Sequence, residues 1–497
     1  MNKLLNLAVG AFCCLLFSKI AAQDLDSGIL KIDNFLTQGV KKGFSGSAIV
    51  FDKGQTLLAK GYGYADKKSK LLNGLDTVFD IGSNTKQFTS AAILKLVELG
   101  KLKTSQPVSD FFDGVPQDKR SITIHHLLSH SAGFVESIDQ DFNHIAEAEF
   151  FDRLFTTKLL FKPGEKYSYS NVGYSVLAKI IEKTSGRSYE EFLQQHFFKP
   201  LKIKQTGYLL PDWNKANLAH GYPRNIIDTG AMVERYLEDN KVSWNILGNG
   251  GINSTPHDML IWMRALANNK VLSRKSTELL LGLHQKIKDY EDGRKLFYAY
   301  GWGVTLKSDG LRRVSHNGSN GRFWHSIIWY PELERIVLFS TNADSPQLER
   351  VASEIDKMLN DGNYHPKPII KNSYLFAFEF IEENSPSNSK MLFKQIENKY
   401  PDTLKQSAFL NRVGLMLMER GKFEWSIELL RENTARFSDD GNLYDSLGEA
   451  YFNAGKIEDA AASFKTALKL GKNRECHWCE NSQLKLEQID GLDSNKE

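Results

Sequence analysis

Hydrophobic and polar residues alternate in two early segments of the chain, SGSAIVFD and TLLAKGYGYA, which are separated only by the residues KGQ. A period of two is typical of strands, and the short connection containing glycine predicts a hairpin. Between Lys86 and Leu99 the apolar residues instead recur every three or four positions, and Gly100 follows as a C-terminal stop. This change of period predicts a buried helix that begins at Ser83.

The patterns between Ser121 and about Asn269 are mostly helical, and an amphipathic helix is predicted earlier, around Leu25 to Val40. Strand patterns return in FYAYGWGVTL, RRVSHNGSNG, HSIIWYP and RIVLFSTN, before a last helix from about Gln347 to Leu359. Strands at both ends of a helical block predict an α+β fold, in which distant parts of the chain form one sheet with a helical lobe beside it. A cleft between two lobes is a common place for a binding site.

Beyond Pro366 the sequence contains a repeat of 34 residues, in which Ser407 to Asp440 matches Gly441 to Arg474. The second copy resembles the tetratricopeptide repeat. A more degenerate helical pair is expected from about Ser373 to Gln406, because so few repeats seldom bury a stable core alone. Such repeats supply a concave surface and predict a protein or peptide partner, although packing against the preceding domain is an alternative role.

Length and composition narrow the class of protein. A chain of 497 residues is too long for one ordinary core, which predicts two folded units. Hydrophobic residues at 41%, charged residues at 25% and a net charge of +3 are typical of a soluble globular protein. The charge is neither large nor clustered enough to indicate a nucleic-acid partner.

The first 22 residues have the layout of a secretory signal peptide, with Lys3, an apolar run from Leu4 to Phe17, and predicted cleavage after Ala22. An uncleaved anchor is the alternative, and a lipoprotein is not favoured. No other stretch reaches eighteen uninterrupted apolar residues, so we expect an exported chain, periplasmic or secreted, without a stable membrane span after cleavage.

The exported chain retains two cysteines, Cys476 and Cys479, in the sequence CHWC. In an oxidising compartment this pair is expected to form a small disulfide. A redox or zinc site would need further partners, and only His477 lies nearby in the sequence.

The spacing S-x-x-K occurs at Ser83 to Lys86, Ser387 to Lys390 and Ser482 to Lys485. Only the first pair opens a predicted buried helix, where residues three apart share a face. There a lysine with a lowered pKa can remove the serine proton, and backbone N–H groups at the helix start can stabilise an oxyanion. The first pair is therefore the candidate for serine nucleophile chemistry.

Five ordered segments carry a resemblance to a known family: FDIGSNTKQFTSAAILKLVELGKL, TIHHLLSHSAGF, PGEKYSYSNVGYSVLAKIIEKTSGRSYEEF, GNGGINSTPHDM and SHNGSNG. Together they resemble the serine β-lactamase-like hydrolases, which include class C β-lactamases, penicillin-binding carboxypeptidases, D-aminopeptidases and related esterases. The resemblance runs from about residue 25 to 362. It implies a β-lactamase/transpeptidase-like fold, with an antiparallel sheet flanked by helices plus a helical lobe, followed here by the all-α repeats.

The expected organisation is a signal peptide over residues 1–22, a serine hydrolase domain over 23–365, a linker over 366–372, tetratricopeptide-like repeats over 373–490 and a polar tail over 491–497.

The resemblance also implies roles for individual residues. Ser83 is the implied acylated nucleophile, Lys86 its proton partner, and Tyr169 the general base that acts with Lys86 and then passes the proton to the leaving group. The backbone N–H groups of Ser83 and Ser319 are the implied oxyanion hole. The residues implied to bind substrate are Asn171, His316, Asn317, Gly318 and Ser319.

His316 departs from the pattern of the family, because many members have lysine at this position. A histidine is mostly neutral at pH 7 and does not present a fixed charge to a substrate carboxylate. We therefore favour esterase or peptidase activity over true β-lactamase activity. Arg322 either restores a positive charge or is a solvated strand residue.

The remaining candidate motifs favour structural roles. His126 and His130 are four residues apart, but there is no H-E-x-x-H motif, so neither a metal site nor a cofactor is expected. There is no G-x-S-x-G motif, which excludes the nucleophile elbow of α/β-hydrolases. The GNGG segment lacks the ending of a phosphate loop, and we expect a turn beside the cleft.

The sequence thus predicts an exported serine hydrolase that forms an acyl-enzyme on a small ester, amide or peptide substrate. The alternative is a penicillin-binding sensor or scaffold without turnover, which recruits a partner through its helical repeats.

Overall fold

The computed structural model describes residues 27–343, 345–472 and 476–494. The predicted signal peptide over residues 1–22 lies outside the described residues. The chain divides into two compact units, Met1–Ile370 and Lys371–Glu497. Among the described helices, none is both long enough and apolar enough to cross a membrane.

Fifteen strands can be assigned in the described part of the N-terminal unit. They are β1 Gly46–Asp52, β2 Gln55–Tyr62, β3 Tyr64–Asp66, β4 Leu71–Leu72, β5 Thr77–Asp80, β6 Asn217–Leu218, β7 Leu237–Glu238, β8 Lys241–Val242, β9 Asn253–Ser254, β10 Gln285–Asp289, β11 Lys295–Tyr298, β12 Gly303–Leu306, β13 Arg312–Ser319, β14 Trp324–Tyr330 and β15 Arg335–Thr341.

Eight of these strands form one antiparallel sheet in the order β10-β11-β12-β13-β14-β15-β1-β2. The predicted hairpin β1–β2 joins the late strands through β15, with Gly46 opposite Thr341 and Asp52 opposite Arg335. The expectation of a sheet built from distant parts of the chain is therefore confirmed. Smaller sheets pair β3 with β4, β7 with β8, and β5 with both β6 and β9.

The helices of this unit cover the sheet and build the lobe beside it. They are α1 27–40, α2 Thr85–Glu98, α3 Ile124–Leu128, α4 Glu147–Thr156, α5 Asn171–Ser185, α6 Tyr189–Leu193, α7 Lys199–Leu201, α8 Pro256–Ala267, α9 Arg274–Leu280, α10 Pro346–Glu349 and α11 Val351–Asn360.

Strand β1 shows how the period of two divides the core into two layers. Ile49 and Phe51 belong to a large apolar cluster that includes residues of α2, α5 and α8. Ala48 and Val50 point to the opposite face and belong to a second cluster with residues of α1 and α11. Successive side chains of a strand point to opposite faces, so this sheet is covered by helices on both sides.

The C-terminal unit is all-helical in its described residues. Its helices are α12 Ser373–Glu383, α13 Ser389–Lys399, α14 Ala408–Glu419, α15 Phe423–Arg436, α16 Gly441–Asn453, α17 Ile457–Gly471 and α18 Cys479–Ser494. The expected degenerate pair corresponds to α12 and α13. The predicted disulfide between Cys476 and Cys479 is present.

The repeated glycines of this unit allow close helix contacts. A Cβ atom added at Gly414 would lie 2.6 Å from Leu430, and one added at Gly448 would lie 2.6 Å from Phe464. Both distances are shorter than real Cβ contacts, so each pair of helices packs through a position that has no side chain.

Candidate active site

The turn that carries Ser83 is fixed by the residues on both sides of it. Strand β5 ends at Asp80, whose buried carboxylate accepts the N–H of Gly82 at 2.6 Å. Gly82 has a φ of 51°, a left-handed conformation that favours glycine. Ser83 lies in the 3-10 turn Gly82–Asn84, and α2 begins at Thr85 rather than at Ser83. The tighter turn places the serine just ahead of the helix.

Lys86 lies one turn into this element, and its amine is fully buried. Its Nζ is 3.1 Å from Ser83 Oγ, and it donates hydrogen bonds to Asn171 Oδ1 at 2.8 Å and to the carbonyl of Asn249 at 2.7 Å. Asn249 belongs to the GNGG segment, which forms a turn beside the cleft as expected. The structure thus brings the predicted serine, lysine and asparagine together.

Burial lowers the pKa of Lys86 from 10.5 to about 7, and the charges of Asp141 and Glu136 only partly oppose this effect. A buried ammonium loses hydration that polar neighbours replace incompletely. A substantial fraction of Lys86 is therefore neutral at physiological pH. A neutral amine in contact with a serine hydroxyl is suited to accept its proton.

Tyr169 contacts both members of this pair. Its hydroxyl shares a hydrogen bond with Ser83, and Lys86 Nζ lies 4.8 Å from the centre of its ring. Burial raises the pKa of Tyr169 well above its usual value, although the bond with Ser83 lowers it slightly. The phenol therefore keeps its proton at neutral pH and is suited to donate a proton. Lys86 rather than Tyr169 is the group available to act as the base.

His130 holds the segment that carries Tyr169. Its carbonyl accepts the N–H of Ser168 at 2.9 Å, and its Nδ1 accepts the N–H of Ser170 at 3.1 Å. The two rings of His130 and Tyr169 are 4.3 Å apart. His126, by contrast, caps its own helix, where its Nδ1 accepts the N–H of Thr123. His126 and His130, the two candidate metal ligands, thus each accept a hydrogen bond from the backbone of a different segment.

Strand β13 forms the opposite wall and approaches the nucleophile turn very closely. A Cβ atom at Gly318 would lie 1.9 Å from the carbonyl oxygen of Ile81 and 2.8 Å from the nitrogen of Ser83. Only glycine fits at this crossing. Ser83 and Ser319 line the same cavity, so the two amides assigned to an oxyanion hole lie on adjoining walls.

Both ring nitrogens of His316 are already in use. Nε2 lies 3.1 Å from the hydroxyl of Tyr298, and Nδ1 lies 2.7 Å from the carbonyl of Asn317. Burial and the charge of Lys86 lower the pKa of His316 to about 3, so the ring is neutral. Asn317 is exposed. His316 and Asn317, which were predicted to bind substrate, do not line the cavity in front of Ser83.

Arg322 was expected either to restore a positive charge at the site or to be a solvated strand residue, and the structure shows a different environment. Its guanidinium lies 3.7 Å from the ring centre of Phe142. Stacking of this kind occupies the face of the guanidinium. Arg322 is therefore not part of the cavity lining.

The cavity in front of Ser83 has a volume of about 190 Å³. Its lining is polar and contains two carboxylates, but no lysine, arginine or histidine. The lining residues are Gly82, Ser83, Glu136, Asp141, Tyr169, Asn171, Tyr236, Ile246, Asn249, Gly250, Gly251, Ser319 and Asn320.

A separate polar cluster brings Asp66, His220 and Asp228 within 4.8 Å of one another. These groups satisfy one another, because His220 Nδ1 lies 3.0 Å from Asp228 and the hydroxyl of Tyr222 donates to both carboxylates at 3.3 Å. The cluster lies outside the lining of the cavity.

Comparison with known proteins assigns this arrangement to a family. The family model described as Beta-lactamase matches residues 32–357, which is well over half of the chain. The chain belongs to the β-lactamase family. This places it among serine hydrolases that act through an acyl-enzyme, and the expected fold class is confirmed.

The relatives of this β-lactamase-family chain include penicillin-binding proteins. PbpX of Bacillus subtilis (strain 168), named as a penicillin-binding protein, is 33% identical over 331 residues, which are 66% of this chain and 78% of PbpX. Penicillin-binding protein 4* of the same strain is 28% identical over 325 residues, which are 62% of this chain and 70% of that protein.

Two solved structures extend the comparison to the fold. The octameric penicillin-binding protein homologue from Pyrococcus abyssi has a TM-score of 0.59 and 26% identity, and the match covers 71% of this chain and 81% of that one. D-amino acid amidase from Ochrobactrum anthropi SV3 has a TM-score of 0.56 and 21% identity, covering 68% of this chain and 97% of that one. The second match is a likeness of fold alone.

Several groups of this β-lactamase-family site were not anticipated from the sequence. A backbone carbonyl such as that of Asn249 has no sequence signature. Glu136 and Asp141, by contrast, lie in the acidic sequence VESIDQD, which directly follows the SHSAGF segment and could have indicated them. The groups missed are Asp80, Glu136, Asp141, Tyr236 and the carbonyl of Asn249.

Proposed function

We propose that this protein hydrolyses ester or amide bonds through an acyl-enzyme on Ser83. The observation that carries the proposal is the state of Lys86, a buried amine 3.1 Å from Ser83 Oγ whose pKa is lowered to about 7. A serine hydroxyl is a weak nucleophile until a nearby base removes its proton. A lysine with an ordinary pKa would be protonated and could not do this at neutral pH.

In the first step, the neutral amine of Lys86 takes the proton of Ser83 Oγ as this oxygen attacks the substrate carbonyl. The carbonyl oxygen becomes an oxyanion, which the N–H groups of Ser83 and Ser319 stabilise. Asn171 keeps the amine in place through its Oδ1. The remaining amide of Asn171, whose Nδ2 is 3.3 Å from Ser137 Oγ, faces the cavity and can contact the acyl group.

In the second step, the carbon–leaving group bond breaks and the leaving group takes a proton from the hydroxyl of Tyr169. The ammonium of Lys86, whose Nζ lies 4.8 Å from the centre of the Tyr169 ring, then returns its proton to the phenolate, which restores both groups. Water then attacks the ester on Ser83 by the same route, with Lys86 as base, and releases the acid and the free serine. Atoms and protons balance over the cycle.

The decisive test compares the natural protein with Ser83→Ala on a simple p-nitrophenyl ester. We expect turnover by the natural protein and hydrolysis at the rate of the uncatalysed reaction with Ser83→Ala. Ser387→Ala is the matched control, because Ser387 is exposed and belongs to another S-x-x-K sequence. Equal loss of activity in both variants would contradict the assignment.

The sensor alternative predicts a different result. Such a protein becomes labelled on Ser83 by a penicillin or fluorophosphonate probe, but shows no turnover of esters or amides beyond that of Ser83→Ala. The contacts among Ser83, Lys86 and Tyr169 place both a base and a proton donor at the nucleophile, which supports turnover.

We also propose that the protein is exported and that the helical unit binds a peptide or protein partner. The N-terminal signal-like sequence and the Cys476–Cys479 disulfide support export. Helix α15 begins at Phe423 and α17 begins 34 residues later at Ile457, a spacing that supports a binding surface built from helical repeats. Cleavage after Ala22, read by N-terminal sequencing of the exported protein, tests the first proposal.

A further inference from the structure

A buried carboxylate lies directly behind the turn that carries Ser83. Asp80 is only 2% exposed and does not belong to the lining of the cavity. Burial raises its pKa from 3.8 to about 6, and hydrogen bonds from Tyr236, Gly82 and Asn320 oppose this rise. Among the described residues, no lysine or arginine forms an ion pair with it. Hydrogen-bond donors, rather than a cation, therefore offset the cost of burying this charge.

The carboxylate of Asp80 ends a chain of hydrogen bonds that crosses the site. Its Oδ1 accepts the N–H of Gly82 at 2.6 Å, and its Oδ2 accepts the hydroxyl of Tyr236 at 2.7 Å. The same hydroxyl accepts a hydrogen bond from Nδ2 of Asn320 at 3.0 Å. Burial raises the pKa of Tyr236 well above its usual value, so the phenol keeps its proton and donates it to Asp80. Each bond in the chain thus has a fixed direction.

This chain connects the two backbone segments that carry the amides assigned to the oxyanion hole. Gly82 directly precedes Ser83, and Asn320 directly follows Ser319. A Cβ atom added at Gly82 would lie 2.6 Å from the nitrogen of Ser319, so the two segments are in close contact. The Oδ1 of Asn320 also accepts the N–H of Arg322 at 3.0 Å, which fixes the turn after β13. Asp80 therefore reaches one segment directly and the other through Tyr236.

We propose that Asp80 is a positioning residue, whose carboxylate holds the amides of Ser83 and Ser319 at the spacing that the oxyanion requires. This inference rests on the proposed function of Ser83. Donors in an oxyanion hole must lie about 2.7–3.1 Å from the place that the oxyanion will occupy. Asp80 does not line the cavity, and no bond forms or breaks at it. Its effect is therefore on the transition state, in which the carbonyl oxygen becomes negative, rather than on substrate binding.

Two substitutions interrupt the chain at different points. Asp80→Asn keeps the shape of the side chain but has only one acceptor oxygen, so it accepts from Gly82 or from Tyr236 but not from both. Tyr236→Phe removes the hydroxyl between Asp80 and Asn320 and keeps the ring, which stacks on Phe142 at 5.5 Å. Both variants should therefore loosen the same contact between the two segments.

A neutral p-nitrophenyl ester and its thiono analogue, in which sulfur replaces the carbonyl oxygen, test this inference at pH 8. At this pH most Lys86 is neutral and most Asp80 is charged. Sulfur is a weak hydrogen-bond acceptor, so the thionoester gains little from the oxyanion hole. Loss of a whole donor costs about 100-fold to 1,000-fold, and we expect displaced donors to lower the ratio of ester to thionoester kcat/KM by about tenfold in each variant.

The kinetic constants of the ester give a second measurement. We expect kcat to fall and KM to change little, because the interaction is made in the transition state. The double variant should lower the substrate ratio about as much as the stronger single variant does, since both substitutions act through one chain.

The substrate ratio is independent of the fraction of protein that is folded, because both substrates report on the same active molecules. Asp258→Asn is the matched control. Asp258 is also buried, at 7% exposed, and accepts the N–H of Gln205 at 2.7 Å, but it lies outside the cavity lining. We expect its replacement to leave the ratio unchanged, and Tyr236→Phe decides the result if Asp80→Asn does not fold.

An unchanged ratio in the folded variants overturns the inference, even where their activity is lower, because the defect is then not in the oxyanion hole. The proposed function stands in that case, provided that ester hydrolysis by the natural protein is lost in Ser83→Ala. Failure of the natural protein to hydrolyse the ester in a Ser83-dependent manner rejects the proposed function, and this inference with it.

Discussion

Replacing Lys86 by methionine tests the physical state of the amine on which the proposed chemistry depends. Methionine is similar in length, uncharged and able to fill an irregular apolar gap. Burial lowers the pKa of Lys86 from 10.5 to about 7 in the folded protein. The folded state therefore binds fewer protons than the unfolded state between about pH 7 and pH 10.5, and the stability of the natural protein rises with pH across that window.

The expected difference in the free energy of unfolding between the two proteins follows from this pKa change and from the contacts of the amine. At about 1.4 kcal/mol per pKa unit, the change corresponds to roughly 5 kcal/mol of folding free energy. This cost of burying the amine is present in full only below pH 7 and decreases as the pH rises to 10.5. Three hydrogen bonds, to Ser83, Asn171 and Asn249, offset this by about 1 kcal/mol each. We expect Lys86→Met to be about 2 kcal/mol more stable at pH 6 and about 2 kcal/mol less stable at pH 10.

Urea denaturation of both proteins at pH 6, 8 and 10, followed by tryptophan fluorescence, measures this difference. Other titrating groups cancel because they are common to both proteins. Lys95→Met on the same helix is the matched control. Lys95 pairs with Glu98 at 2.8 Å, and we expect its replacement to show no change of sign in the stability difference between pH 6 and pH 10. A stability difference for Lys86→Met that does not change with pH would refute the reasoning.

Two further predictions follow from the same geometry. With an uncharged ester, kcat/KM should rise with pH to a plateau above about pH 7, because only neutral Lys86 acts as the base; a profile that is flat from pH 5 to 9 contradicts this. Gly318→Ala should reduce kcat at least about 100-fold, the scale of losing an oxyanion contact, because its Cβ would displace the turn at Ile81. Gly74→Ala is the control, since its Cβ meets open space.

The parts of the fold that depend on local pattern could be predicted from the sequence. The hairpin β1–β2 and the helix α2 have clear periods of two and of three to four residues. Strand β10, with the sequence QKIKD, was missed because it alternates weakly and is mostly exposed. The two-residue strands β6 and β9 exist only through pairing with the distant strand β5, which overrides local propensity, whereas β7 and β8 form a local hairpin too short to show a period.

The catalytic candidates could be chosen because ordered motifs marked them. Ser83 and Lys86 lie in one segment and Tyr169 lies in a distant one, and the structure brings the three side chains together. The charge of the cavity could not be read in the same way. Glu136 and Asp141 lie in an irregular loop that also contains Asp139. In the structure Asp139 differs from the other two because it accepts hydrogen bonds from Asn143 and Arg153, which the sequence does not show. The lowered pKa of Lys86 likewise follows from burial, which its sequence does not show.

The central claim is that Ser83 is the acylated nucleophile, and its most direct test is mass spectrometry of the protein after reaction with a fluorophosphonate or a penicillin. The account predicts one covalent adduct per chain, located by peptide mapping on Ser83, and none on Ser83→Ala. An adduct on another residue, or equal labelling of Ser83→Ala, would contradict it.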